Sequence, residues 1–344
     1  PTRAQWIIRH YGNPSIMNGT YPAVSDEPTN AGPALAGTSE SDGQYWFAFG
    51  AMAQLMGFSD TFHYEGGLRG EAPSAGFAEV VLDGEPQGLY AVIESIDKKF
   101  LKARFEDAGG PIYEGEWGCD VVPDDVGGFD LDGGTKDRSE LARLAAVAAG
   151  SADRLFGPDS PLDVPAFLRF IAVEMYAGNF DGYRHGHNYR LYFEPGRARW
   201  SFIPWGLDRT FVKNLSIFDS QGYLAKRCFA DARCRADYVR TMRDVVAEAR
   251  RLGLERRVDV ISVVTRDAAG RDPRRASELA GAHAELRSYL IDRPRAVERE
   301  LGCLDADGHE VDRDGDGFAR LDCNDANPAI RPGAAETCDG VDTD

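Results

Sequence analysis

No apolar run in the 344 residues approaches the roughly 20 needed for a membrane-spanning helix, so the chain carries no helical transmembrane segment. Basic residues are in deficit. Lys and Arg number 39 against 56 Asp and Glu, giving a net charge of −17 and a pI near 4.8. That balance argues against a nucleic-acid-binding surface. Six cysteines are present, at 119, 228, 234, 303, 323 and 338, and none forms the C-x-x-C pair of a zinc or dithiol redox site. No signal-peptide pattern is found either. The chain starts at Pro1 and stops inside the motif CDGVDTD. It reads as a fragment cut at both ends, for which missing targeting signals prove nothing.

What is present suits a folded protein with a sizeable core: 43% of residues are hydrophobic. Residues 1–42 carry Pro, Gly, Asn, Ser and Thr at loop-like density and are expected to be irregular, or the stub of a structure whose first part is missing. The run YWFAFGAMAQLM that follows has helical spacing. Residues 71–95 read as a hairpin, GFAEVVLDG and GLYAVIES around GEPQG, and 96–105 as a short helix capped near Ser95 and Asp97. A strand at PIYEG precedes a long Gly- and Asp-rich loop. Helices are expected over 137–155, 162–178, 237–252, 256–268 and 275–301. Cys228 and Cys234 flank a short acidic loop. An even cysteine count with local pairings suits disulfides and an oxidising compartment, the alternative being buried thiols.

One stretch concentrates polar chemistry: NFDGYRHGHNYRLYFEPGRARWSFIPWGLDRTF, residues 179–211. Asp181 lies in a turn, Asn188 precedes a strand, and two β-like runs joined by Pro-Gly lead to Asp208. A phosphoryl-transfer site is commonly laid out this way, with one carboxylate orienting the hydroxyl, an amide oxygen after it, and a further carboxylate holding metal. From spacing alone, a hairpin with polar ends in an ordinary α+β domain explains it equally well.

The tail after Leu301 loses helical periodicity and is built of Asp, Gly and turns. Asp312, Asp314 and Asp316 alternate around Gly315 and Gly317, followed by Asp322 and Asp325. Alternating carboxylates on a glycine-rich turn suit calcium, which takes six to eight hard oxygen ligands. The EF-hand spacing is matched only at its start, because the closing Glu position holds Cys323. Asp322 or Asp325 would have to close the site. An acidic disordered linker is the plain alternative. The tail, DRDGDG then DCND then PGAAETCDGVD, resembles the MopE-like metal-binding repeat of secreted proteins, which implies an extracellular, periplasmic or cell-surface setting.

The central stretches LDGEPQGLYAVIESIDKKFL, GPIYEG, NFDGYRHGHNYRLYFEP and RWSFIPWGLDRTF resemble the CotH family of atypical protein kinases. The resemblance implies an α+β, kinase-like fold with a small, truncated β-rich N-lobe, a helical C-lobe and the metal-binding tail. The corresponding domains are 1–70, 71–301 and 302–344. It implies ATP and magnesium as cofactors, calcium for the tail, and protein acceptors with Ser or Thr hydroxyls. Asp181 takes the role of catalytic carboxylate, Asn188 and Asp208 hold magnesium, and Glu94 lies near the adenine. Two departures stand out. Where the family's P-W-D-x-D segment has its first Asp, this chain has Gly206, and the loop from Asp181 to Asn188 is about two residues longer than in typical protein kinases. Arg184, His185 and His187 in that loop could substitute as phosphate contacts or simply be solvated. Glu114 stands where some members have Lys. Three functions stay open: a secreted protein kinase, a pseudokinase with an eroded metal site, and a calcium-dependent surface-binding or structural protein.

Overall fold

The computed structural model describes residues 6–11, 72–73, 75–82, 85–93, 95–116, 118–134, 137–271, 279–302, 304 and 311. The helix expected from the run YWFAFGAMAQLM, Glu94, and the tail aspartates 312, 314, 316, 322 and 325 lie outside the described residues.

The first sheet is antiparallel, with order β1-β2-β3: β1 (Trp6–Tyr11), β2 (Ala75–Leu82) and β3 (Glu85–Ile93). The β2–β3 hairpin is the one its β-branched and aromatic residues predict, with an irregularity between Val80 and Val81. The strand β1 corrects the expectation of irregular structure over 1–42, since Trp6 pairs with Leu82 and Tyr11 with Phe77. Its six residues, WIIRHY, sit among loop-forming neighbours that mask so short a signal.

The second sheet has order β5-β4-β6-β7: β4 (Ile112–Gly115), β5 (Phe129–Gly133), β6 (Tyr189–Glu194) and β7 (Arg199–Pro204), all antiparallel. Both β5 and the 3-10 turn Pro123–Gly128 fall in the stretch expected to be a long loop. Every residue of β6 is buried, because the sheet is covered on both faces. Tyr189, Leu191, Phe193, Trp200 and Phe202 face the main core, while Tyr192 and Ile203 face a smaller one with Phe100, Leu101 and Phe105. Period-two alternation thus serves two cores instead of one core and solvent. The smaller core is roofed by α1 (Lys98–Arg104), whose first turn is capped by Asp97 Oδ1, 2.7 Å from Lys99 N and 3.0 Å from Phe100 N.

The expected helix over 137–155 breaks at Gly150 into α2 (Ser139–Ala149) and α3 (Ala152–Phe156). α4 (Val164–Tyr176) starts with Asp163 as cap and Pro165 in its first turn, and nine of its thirteen residues are buried. α5 (Tyr223–Ala230) and α6 (Ala232–Leu252) meet at Asp231, which caps α6 through Cys234 N. Cys228 and Cys234 form a disulfide across that junction. The acidic loop expected between these cysteines is therefore a helix-to-helix break, one residue wide. α7 (Leu254–Gly270) and α8 (Leu279–Gly302) complete the helical part. No helix among the described residues is long and apolar enough to cross a membrane.

The end of α4 is clamped from α8. Tyr289 donates its hydroxyl to Tyr176 O at 2.8 Å, and the Arg293 guanidinium donates to Tyr176 O, Met175 O and Leu215 O at 2.6–2.9 Å. The last carbonyls of a helix lack intrahelical donors and carry partial negative charge, so a buried guanidinium is well matched to them. This clamp fixes where the chain leaves α4.

Candidate active site

Leaving α4, the chain turns at Gly178, passes Asn179 to Gly182, makes a 3-10 turn over Tyr183–His185, and reaches β6 through Gly186, His187 and Asn188. Asn188 has φ of 50°, a left-handed conformation that asparagine tolerates better than most residues. Its Nδ2 donates to Asp181 O at 2.7 Å and to Asp181 Oδ2 at 3.2 Å. His187 Nδ1 lies 3.5 Å from Asp181 Oδ1. The structure therefore brings Asp181 and Asn188 into direct contact, with the Asp181 side chain about a quarter exposed. That leaves the carboxylate open to solvent.

On the other side of the hairpin, Trp205 N donates to Asn188 O at 3.1 Å, so the segment after β7 runs beside Asn188. Gly206 follows with φ of 58° and starts the 3-10 turn Leu207–Arg209. A Cβ added at Gly206 would sit 2.5–2.8 Å from Cγ, Oδ1 and Nδ2 of Asn188. The glycine is thus required twice, by its backbone conformation and by the Asn188 amide occupying its side-chain space. Backbone bonds then return the segment to the end of α4. Phe180 N donates to Arg209 O (3.0 Å), Phe211 N to Ala177 O (2.8 Å) and Val212 N to Gly178 O (3.2 Å). Asp208 lies within this turn, two residues beyond Gly206.

Of Arg184, His185 and His187, the first is taken up by the fold, which corrects the expectation that it contacts phosphate or is solvated. Arg184 is buried and paired with Asp219. His185 bonds through Nδ1 to the Phe180 carbonyl and packs its ring 4.6 Å from the Phe180 ring. Of the three, His187 alone faces Asp181. Glu114 joins a lateral brace: Arg190 Nη2 donates to its Oε2 at 2.8 Å, while Arg190 Nε lies 2.8 Å from Asp132 Oδ2 as an ion pair without hydrogen-bond alignment. The Arg190 guanidinium stacks 4.6 Å from the Trp205 ring, tying β6 to the segment after β7.

Beneath the loop lie residues that the sequence reading missed. Glu174 on α4 is fully buried, and its two oxygens accept from Asn179 Nδ2 at 3.1 and 3.0 Å. Oε2 also accepts from Tyr183 N at 3.2 Å. Burial without a cation pushes its carboxyl up to about 8, against the downward pull of those hydrogen bonds. Asp120, from the loop after β4, accepts from the Tyr183 hydroxyl (3.1 Å), Val121 N (2.7 Å) and Tyr223 N (2.5 Å). Burial raises its pKa as well. Position was the available signal for Glu174, since it falls on the apolar stripe Phe167, Phe170, Ile171 of α4, where a carboxylate is out of place.

No group of three or more His, Cys, Asp or Glu placed to hold a metal occurs among the described residues. The donor set at Asn188 nevertheless suits magnesium. The amide N–H groups turn to Asp181, which leaves Oδ1 facing the Gly206 turn, and magnesium takes one or two protein oxygens with the rest from water and phosphate. A carboxylate at position 206 would have to displace that amide.

Comparison with known proteins agrees with this geometry's position in the chain. The family model described as "CotH kinase protein" matches residues 62–297, and a second, described as "Putative metal-binding motif", of the MopE type, matches residues 322–344. The inner spore coat protein H of Bacillus subtilis (strain 168) is 27% identical over 165 residues, which cover 42% of this chain and 43% of that protein. The chain thus aligns with less than half the length of this curated relative. With the larger match covering well over half of the residues and enclosing both loops of the candidate site, the chain belongs to the CotH kinase protein family.

Proposed function

We propose that this domain is an atypical protein kinase, transferring the γ-phosphate of ATP to Ser or Thr hydroxyls of protein acceptors on a kinase-like fold. The observation that carries the reading is the Asn188 amide, which bonds Asp181 on one side and faces the Gly206 turn on the other. A carboxylate for the hydroxyl and an oxygen for the metal are thereby coupled through a single side chain. Asp181 orients the acceptor hydroxyl and accepts its proton, for which it needs an approach of about 2.6–3.2 Å. Asn188 Oδ1 and Asp208 hold magnesium, which when bound offsets charge on the transferring phosphates. Glu94 serves the adenine end of the nucleotide. The domains follow as an N-lobe remnant over 1–70, the kinase-like domain over 71–301 and the tail over 302–344.

In the tail, Asp312, Asp314, Asp316, Asp322 and Asp325 bind calcium, for which the support is their alternation around glycines and the neighbouring motif match. The Cys228–Cys234 disulfide supports an extracellular, periplasmic or cell-surface location. A second reading, a pseudokinase that keeps the fold as a binding module, is favoured by one observation, the filled side-chain space at Gly206. Phosphate transfer separates the two. The intact protein with ATP and magnesium is expected to label itself or an acidic, casein-like acceptor, and Asp181→Ala to abolish the labelling. Labelling of neither by the unmutated protein contradicts the kinase reading.

A further inference from the structure

Both ends of the turn that carries Asp181 are tied to one buried side chain. Asn179 precedes Asp181 by two residues and Tyr183 follows it by two, and each bonds the Glu174 carboxyl group. The contact is close enough to dictate a residue type: a Cβ at Gly182 would lie 2.1 Å from Glu174 Oε2 and 2.3 Å from Asn179 Nδ2. Glu174 is itself placed by α4, whose end is held by Tyr289 and Arg293. We propose that Glu174 is a positioning residue for the Asp181 turn, acting through Asn179 and the Tyr183 backbone rather than on substrate. This rests on the reading of Asp181 as the catalytic carboxylate.

The surroundings also fix the chemical form in which Glu174 works. Around it are Asn179 and the Tyr183 backbone from the turn, the Tyr183 hydroxyl, which is turned to Asp120, and Arg293 with Tyr289 from α8, spent on carbonyls. No cation pairs with Glu174 among the described residues. Full burial of an unpaired carboxylate is unfavourable, so the group is held as the neutral acid at neutral pH. The bonds from Asn179 Nδ2 and Tyr183 N favour the ionised form, and burial outweighs them. Above the Glu174 pKa, near 8, the ionised group is buried without a cation, and opening of the turn lets water reach it, so the turn loosens. Asp181 is then no longer held in place.

The test is amide hydrogen exchange on the full chain, read as protection over residues 178–188 and corrected for intrinsic rates, from pH 6 to pH 9. The unmutated protein is expected to lose about tenfold protection in this segment as pH passes 8, while the β6–β7 hairpin stays protected. Glu174→Gln cannot ionise and keeps an oxygen for Asn179 Nδ2, so its protection is expected to stay flat with pH. Glu174→Ala is expected to open the segment at every pH and to lower kcat by about 10²-fold with KM for ATP nearly unchanged. A pH-dependent loss of equal size in Glu174→Gln overturns the proposal, as does a Glu174→Ala protein that folds with the segment still protected. If Glu174→Ala does not fold, the comparison of unmutated protein with Glu174→Gln decides alone. Absence of phosphate transfer in every variant, with the exchange result intact, counts against the kinase reading and leaves the positioning role standing.

Discussion

The two loops at the ends of the β6–β7 hairpin carry comparable sequence signals, an acidic residue in a polar turn, yet they are built differently. The loop before β6 rests on buried side chains: Glu174, Asn179, Tyr183 and Asp120 form a continuous set of bonds beneath Asp181. The segment after β7 is placed by backbone bonds to Asn188, Phe180, Ala177 and Gly178, with Arg190 stacked on Trp205 from the side. One loop has a dedicated foundation, and the other is positioned by reference to it. The dependence is one-sided because the Asn188 amide, which Asp181 holds, fills the space that a side chain at 206 would need. Gly206 is therefore a packed contact, and on the proposed kinase reading the metal oxygens come from Asn188 and Asp208.

The largest effect should come from the braced loop. Asp181→Ala is expected to reduce phosphate transfer by 10²–10⁴-fold, with an unchanged melting temperature because the side chain is partly exposed and its removal creates no cavity. Steady-state kinetics with parallel thermal unfolding check both halves of this expectation. A large loss of stability would mean that Asp181 belongs to the foundation itself.

Next comes the pH dependence of stability. The Glu174 pKa is raised from an ordinary 4.5 to about 8, so the folded state binds the extra proton across that interval. Stability contributed in this way is fully present below pH 4.5, falls by about 1.4 kcal/mol per pH unit between 4.5 and 8, and levels off above. Denaturant melts across this range, compared between the unmutated protein and Glu174→Gln, should differ by that slope. Parallel curves would remove the foundation from the account.

Gly206→Asp sharpens the comparison from the other side. Placing a Cβ against the Asn188 amide at a left-handed backbone is expected to cost about 1–3 kcal/mol and to weaken magnesium dependence instead of strengthening it. Pairing it with Asn188→Ala should recover part of that loss, a non-additivity that a double-mutant cycle measures. The smallest effect is expected at the lateral tie. Arg190→Met removes a guanidinium whose carboxylate partners are 41–46% exposed, so melts should show a loss of about 1 kcal/mol or less.

Much of this arrangement was legible in the sequence where local chemistry determines local structure. The β2–β3 and β6–β7 hairpins and α4 with its Pro165 follow from residues within a few positions of each other, whereas the Cys228–Cys234 pairing, left open by the sequence, is settled by the structure. Spacing and resemblance likewise singled out Asp181 and Asn188, and the structure adds the bond between them. What stayed hidden depends on partners distant in the chain. β1 declares itself only when paired with β2, more than sixty residues on. Arg184 looks like a phosphate ligand until Asp219 is placed beside it. Gly206 reads as an eroded ligand until the Asn188 amide is seen in its space. Glu174 could have been noticed on the apolar stripe of α4, yet its two partners lie across a turn whose path no periodicity specifies.

Nucleotide-dependent stability tests most directly the proposal that the Asp181 loop and the Asp208 turn form one site. Thermal unfolding of the intact chain should be measured with ATP at millimolar concentration, with magnesium or with a chelator. The predicted result is a raised melting temperature with ATP and magnesium together, kept in Asp181→Ala and lost in Asn188→Ala, with about 2.7 kcal/mol gained at a hundredfold excess over the dissociation constant. No shift with ATP and magnesium, or a shift that survives both the chelator and Asn188→Ala, would contradict it.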